Sequence, residues 1–259
     1  MNYGGVMYNI NDYDRPSVAT DIVVFGVETC DDSNKRKNKI KKLKLLLVRR
    51  GKDPFCGKYA VAGGFMRKGE TVEQAALREL SEEAGVTDPK IVGLGVYSEH
   101  GRDPRGWIIS CAYIALTNTV KLSTADYSDV DEAQWFDFSY NFVSQKETII
   151  LKNDSETIVL EYENGRICEE KLGFDHSQIL YDAFKKLQDE ISYHDMVFDL
   201  MPPLFSISEL QQVYEAITLK SVASAGFRRK FAPKIEETEF FEDAAAHRTS
   251  KLYRKRDNV

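Results

Sequence analysis

The chain has 259 residues, 42% of them apolar, and a formal net charge of −6, enough for a substantial core and two domains. It opens with neither a basic leader nor a long apolar stretch, and no apolar run approaches bilayer length; Cys30, Cys56, Cys111 and Cys168 form no C-x-x-C pair. Export, membrane insertion and a disulfide framework are therefore not expected, and a soluble cytoplasmic protein with reduced thiols and no membrane partner is.

In chain order, residues 19–27 and 43–50 have the apolar runs of buried strands, separated by DDSNKRKNKIKK, which reads as a charged, solvated hairpin loop. Residues 58–64 form a further strand that ends in Gly63-Gly64. From Thr71 to Glu83 the spacing is helical, with Val72, Ala75, Ala76 and Leu80 in one apolar stripe. Glu79, Glu82 and Glu83 stand at i, i+3 and i+4, so three carboxylates project within one turn and repel one another unless a cation intervenes. Mg²⁺ takes oxygen ligands in near-octahedral geometry, commonly a few carboxylates with water and substrate phosphate. Gly63 and Gly64 let the backbone approach such an ion, and Gly85 suits a helix end that needs positive φ.

Residues 91–99 and 106–115 are two more strands, joined by HGRDPRG. There Arg102 and Arg105 either fork onto phosphate or ribose oxygens or close a tight Asp103-Pro104 hairpin through local ion pairs. Trp107 is read as core. Asp129, Asp131 and Glu132 precede a strand over 132–138, residues 142–151 show no decisive pattern, and Asn164-Gly165 joins two short strands in a hairpin appended at about 152–172. An amphipathic helix at about 177–192 carries Ile179, Leu180, Ala183, Leu187 and Ile191, with Ser177 as its expected cap and His176 as a structural hydrogen-bond donor. His100, His176, His194 and His247 have no zinc-site spacing.

Met201-Pro202-Pro203 interrupts the pattern, so the chain divides at about 1–200 and 201–259. A helix capped by Ser208 runs to about 217, and a second, over 221–231, carries Phe227 as a core residue beside Arg228, Arg229 and Lys230. The tail then brings Arg248, Lys251 and Arg254. This second part holds ten Lys or Arg against eight Asp or Glu. Two helices and a basic hairpin suggest a winged helix-turn-helix.

The run Gly64, five residues, Glu70, seven residues, Arg78-Glu79-Leu80-x-Glu82-Glu83-x-Gly85-Val86 resembles the Nudix box at every defining position. The resemblance implies an α+β fold, a Nudix α/β/α sandwich around a mixed sheet. It implies Glu82, Glu83 and the Gly63 carbonyl as ligands of Mg²⁺, with Mn²⁺ able to substitute, and Glu79 as a further ligand or as the base that activates water. Glu70 and Arg78 orient Glu79. The alternative base is an acid of the later loop, of which Glu132 is preferred. Tyr59 and Ala62 stand where the family often has Trp and Pro.

RDPRGW resembles the ADP-ribose pyrophosphatases and the Nudix-related transcription regulators, and LFSISELQQVYEAI, AGFRRKF and HRTSKLYR resemble the C-terminal winged helix of those regulators. The expectation is a Mg²⁺-dependent hydrolase of ADP-ribose or a related nucleoside diphosphate sugar. The alternative is a regulator that senses such a ligand and binds a duplex DNA operator. In the regulator, 221–231 would be the recognition helix, with Arg228, Arg229 and Lys230 near DNA and Arg248 and Lys251 in the wing, unless the module serves packing or dimerisation instead. The resemblance implies a homodimer under either reading.

Overall fold

A computed structural model of the chain describes residues 9–31, 39–86, 89–118, 120, 130–244 and 248–257, and the side chains at 31, 39, 130–132, 243, 244 and 248 lie outside the description. The elements run β1 (Ser17–Asp31), β2 (Lys39–Arg50), β3 (Tyr59–Ala60), β4 (Ala62–Phe65), α1 (Val72–Ala84), β5 (Lys90–Tyr97), β6 (Ile108–Thr117) and β7 (Val130–Val143). After these come β8 (Lys146–Lys152), β9 (Thr157–Glu163), β10 (Arg166–Ile167), α2 (His176–Tyr193), α3 (Ile207–Thr218), α4 (Ser224–Phe231), β11 (Ile235–Ala244) and β12 (Arg248–Lys255).

The strands up to β10 form one sheet in the order β10-β9-β8-β7-β2-β1-β6-β5, with β3 beside β2 and β4 beside β1. β1 and β6 are parallel and the other pairs antiparallel, so the sheet is mixed. Successive side chains of a strand point to opposite faces, and here both faces are apolar. Ile22, Val24, Leu46 and Val48 pack with Ala76, Leu80 and Ala84 of α1, whereas Val23, Phe25, Leu45 and Leu47 pack with Leu180, Phe184 and Leu187 of α2. The sheet is thus sandwiched between α1 and α2. Thr71 caps α1 in a reciprocal box with Gln74, and Gly85 ends it in the left-handed conformation at φ 60°.

Several local expectations are corrected. The hairpin expected at about 152–172 is present as β9 and β10, turning at Asn164-Gly165. The stretch 142–151, read without decisive pattern, supplies β8, which joins that hairpin to the main sheet because β7 runs on to Val143 and reverses at Ser144-Gln145, both at positive φ. Ser177 does not cap α2; it lies one residue inside the helix, is fully buried, and donates to Glu170. Ser206, not Ser208, caps α3: its hydroxyl accepts from the Glu209 N–H and the Glu209 carboxylate accepts from the Ser206 N–H. Part of the supposed solvated loop is strand: Lys41 of β2 donates its N–H to Gln212 of α3 at 2.9 Å and reaches Glu209 at 2.7 Å.

The second module does not stand apart. Phe205, Leu210, Val213, Ile217, Phe227 and Phe231 share one continuous core with α2 and its face of the sheet. Gln188 of α2 donates to the Ile217 carbonyl at 2.9 Å, and Lys230 donates to the Ser192 carbonyl at 3.1 Å. β11 and β12 pair as a separate two-stranded hairpin, tied back by a Phe205–Tyr253 bridge.

Candidate active site and DNA-binding face

The Nudix-box helix and glycines meet in a cavity of about 300 Å³ whose wall includes Gly63, Gly64, Glu79, Glu82 and Glu83. β4 pairs with β1 so that Gly63 faces Asp21 and Gly64 faces Thr20. A Cβ on Gly64 would run into the Glu79 carboxylate, and one on Gly63 into the Thr20 carbonyl. Gly63 is therefore required by the backbone packing, while Gly64 leaves the space that the Glu79 carboxylate occupies.

Arg78 organises the acids. Its Nε donates to Glu70 Oε2 at 3.1 Å and its Nη2 to Glu70 Oε1 at 2.7 Å, while Nη1 donates to Glu79 at 2.5 Å and to Glu82 at 3.1 Å. Its remaining bond, 3.1 Å to the Phe65 carbonyl, fixes the strand that carries the glycines. The Arg78 hydrogen bonds, helped by the Arg67 N–H, hold the Glu70 carboxyl down at about 2, and Glu70 in turn raises Arg78. Glu83 accepts from the Gly63 N–H at 2.9 Å, and Arg67 reaches Glu82 at 3.0 Å. Among the described residues no three His, Cys, Asp or Glu side chains converge as a finished cation cage, because Arg67 and Arg78 hold Glu79 and Glu82. Three carboxylates and a glycine carbonyl are nonetheless the hard oxygen donors that Mg²⁺ or Mn²⁺ takes. The room left at Gly64 keeps Glu79 among them.

A buried network, not evident from the sequence pattern, forms the floor. Asp21 sits between Arg102, at 3.0 Å, and His176 Nε2, at 3.4 Å. The Val61 N–H donates to His176 Nδ1 at 3.1 Å, so Nε2 carries the proton facing Asp21. His176 is thus both acceptor and donor. Burial alone would raise the Asp21 carboxyl, but His176 and Arg102 outweigh it and hold it well below the usual carboxylate range. Arg102 also grips Asp175 through two bonds, at 2.7 and 2.9 Å. Asp21 is the only charge in the apolar run 18–27, which is the signal that marks it. Asp175 and His176 had none beyond their place before a helix.

Arg102 therefore lines the cavity with its fork on protein carboxylates, while Arg105 is clamped on Asp103, at 2.6 Å, with its side chain 40% exposed. The Asp103-Pro104 hairpin does have its local ion pair. Trp107 is not core: it is 57% exposed, at the position just before β6 where its carbonyl accepts from the Ser17 N–H. Tyr59 is buried, donating to Gln134 at 3.0 Å, so it stands in the core and not in the cavity. Asp129 and the side chains of Asp131 and Glu132 lie outside the described residues.

In the second module, Arg228 and Arg229 are exposed on α4, whereas Lys230 is braced against the Tyr214 hydroxyl and the Ser192 carbonyl. Lys251 of the wing pairs with Glu237, and the Arg248 side chain lies outside the described residues. Among the described residues, no helix is long and apolar enough to cross a membrane.

Comparison with known proteins agrees with this geometry. The NUDIX domain model matches residues 26–150 and the NrtR DNA-binding winged helix domain model matches residues 197–255. The chain is 28% identical to the ADPR responsive transcriptional repressor NtrR of Acinetobacter baylyi, over 95% of this chain and 85% of that protein. It is 45% identical to an ADP-ribose pyrophosphatase of Methanocaldococcus jannaschii, over 37% of this chain and 56% of that one. The crystal structure of a MutT/nudix family protein from Enterococcus faecalis superposes with a TM-score of 0.74 at 27% identity, covering 96% of this chain and 90% of the other. Sheet, box helix and terminal hairpin agree with these matches: the chain carries a NUDIX domain over residues 26–150 followed by an NrtR-type winged helix domain over residues 197–255.

Proposed function

We propose that the chain is a divalent-metal-dependent hydrolase that cleaves the pyrophosphate of ADP-ribose or a related nucleoside diphosphate sugar. The observation that carries this is the meeting of Glu79, Glu82 and Glu83 in one cavity, against a glycine that leaves Glu79 its space. A bound Mg²⁺ supplies an acidified water and neutralises charge on the diphosphate oxygens. Glu82, Glu83 and the Gly63 carbonyl would hold it, with Mn²⁺ able to replace it. Glu79 serves as a further ligand or takes the proton from the attacking water, Arg78 and Glu70 hold Glu79 in place, and Glu132 is the alternative base. Arg105 faces the phosphates or ribose from the cavity wall, and Arg102 positions Asp21 and Asp175 beneath them. Incubation with ADP-ribose and Mg²⁺, followed by chromatography, tests the reading: AMP and ribose 5-phosphate support it, and unchanged ADP-ribose refutes it.

A second reading, compatible with the first, is a ligand-responsive repressor or activator. α2 favours it: its first residue, His176, lines the cavity, and its far end is bonded to the winged helix through Gln188 and Lys230. The full-length similarity to an ADP-ribose-responsive repressor supports it further. Arg228 and Arg229 are then the leading DNA contacts, with Lys230, Arg248 and Lys251 contributing to the same face, and a homodimer would present two such faces to paired half-sites. A gel shift on the DNA upstream of the protein's own operon, at low salt with and without ADP-ribose, tests it. A shift that the ligand alters supports the regulator; unchanged migration in both lanes refutes it.

A further inference from the structure

Between Ala60 and Ala62 the chain changes partners. β3 pairs with β2 through Ala60 and Val48, and β4 pairs with β1 through Ala62 and Ile22, so Val61 belongs to neither ladder. The residue is buried, and a buried N–H left without an acceptor is strongly unfavourable. His176 supplies the acceptor: its Nδ1 takes the Val61 N–H at 3.1 Å, from 115 residues further along the chain. Close by, the Tyr59 carbonyl accepts from the Gly173 N–H at 2.7 Å. The turn ahead of α2 thus grips the crossing at two points. The imidazole is itself fixed, for it is buried, faces Asp21 Oδ1 through Nε2 at 3.4 Å and lies 5.1 Å from the Phe174 ring, centre to centre.

We propose that His176 is a positioning residue of the metal site: by accepting the Val61 N–H it fixes where the strand changes ladders, and with that the place of Gly63. This rests on the metal-dependent reading above and deepens it. Gly63 follows Val61 by two residues, is the register partner of Asp21, and donates its N–H to Glu83 at 2.9 Å. A crossing that slips therefore moves both the Gly63 carbonyl and Glu83, two of the oxygens assigned to the cation, without touching either directly. Supports of this kind orient the groups that bind a metal and tune its affinity.

The test pairs Mn²⁺ uptake by the full chain, followed through loss of the free-ion paramagnetic resonance signal, with amide hydrogen exchange at Val61. His176→Leu accepts no hydrogen bond, so it should open Val61 to exchange and weaken Mn²⁺ by about ten- to a hundredfold. His176→Asn sets an amide oxygen close to the Nδ1 position and should restore Val61 protection and bring Mn²⁺ to within about threefold of wild type. His176→Gln reaches the Nε2 position instead; it should keep the Asp21 contact and still lose metal. Should His176→Leu fail to fold, the contrast between His176→Asn and His176→Gln carries the test alone. Mn²⁺ affinity that follows the denaturation midpoints of the variants and not Val61 exchange would overturn the proposal. So would wild-type affinity in His176→Gln. Glu83→Gln supplies the signal expected when the metal site is lost: a wild type that takes up no more Mn²⁺ than this variant would refute the metal reading underneath, and the positioning role with it.

Discussion

Glu70 shows how one side chain ties stability to the site. Its carboxyl is held at about 2 in the fold by Arg78, below its ordinary value of 4.5. The stabilisation it brings is therefore complete above about 4.5 and is lost as the pH falls through about 2. Glu70→Gln should be less stable than wild type in urea melts at neutral pH, and the gap should narrow as the titration is taken from pH 5 towards 2; a gap that does not change with pH would contradict the Arg78 pairing. Gly64→Ala tests the steric argument. A methyl there displaces Glu79, and a misplacement of about 1 Å costs on the order of a hundredfold in kcat/KM; near-wild-type turnover would count against it. The acids and glycines were legible because a carboxylate stripe and a double glycine are local patterns. Asp21 and His176 were harder to read, since each takes its meaning from partners far along the chain. Trp107 misled because an aromatic beside a strand reads as core, and it stands exposed just before β6.

Among the elements, α1 followed from the sequence since its apolar stripe, capping box and terminal glycine all agree. β8 did not, because the turn that creates it, Ser144-Gln145, has neither glycine nor asparagine to signal positive φ. The helix caps give a direct check. Ser206→Ala should lower stability by about 1 kcal/mol, while Ser208→Ala, exposed and outside the capping box, should stay within about 0.5 kcal/mol. The reverse order in thermal or urea melts would restore the cap to Ser208. α2 matters for a different reason: Phe184 at its centre is fully buried against Phe25, Phe138 and Tyr140. Phe184→Ala should cost about 3–5 kcal/mol, a loss visible as a lower denaturation midpoint.

At the scale of the whole molecule, the division at about residue 200 is real in sequence pattern, yet the core runs through it from the sheet to α4. Pattern alone could not reveal this, because the apolar faces of α2 and α3 are each legible but their mutual packing is not. The two parts should therefore unfold together, as one calorimetric transition; two separated transitions would refute the shared core. The shared core also gives cavity and winged helix a common body, through which the proposed ligand and DNA sites would be coupled. The most direct test of the central claim is the Mg²⁺-dependent turnover of ADP-ribose by wild type, Glu82→Gln and Glu83→Gln. Wild type should release AMP and ribose 5-phosphate only while the metal is present, and each variant should lose at least about a hundredfold in kcat. Turnover that survives chelation, or is indifferent to both substitutions, would contradict the account.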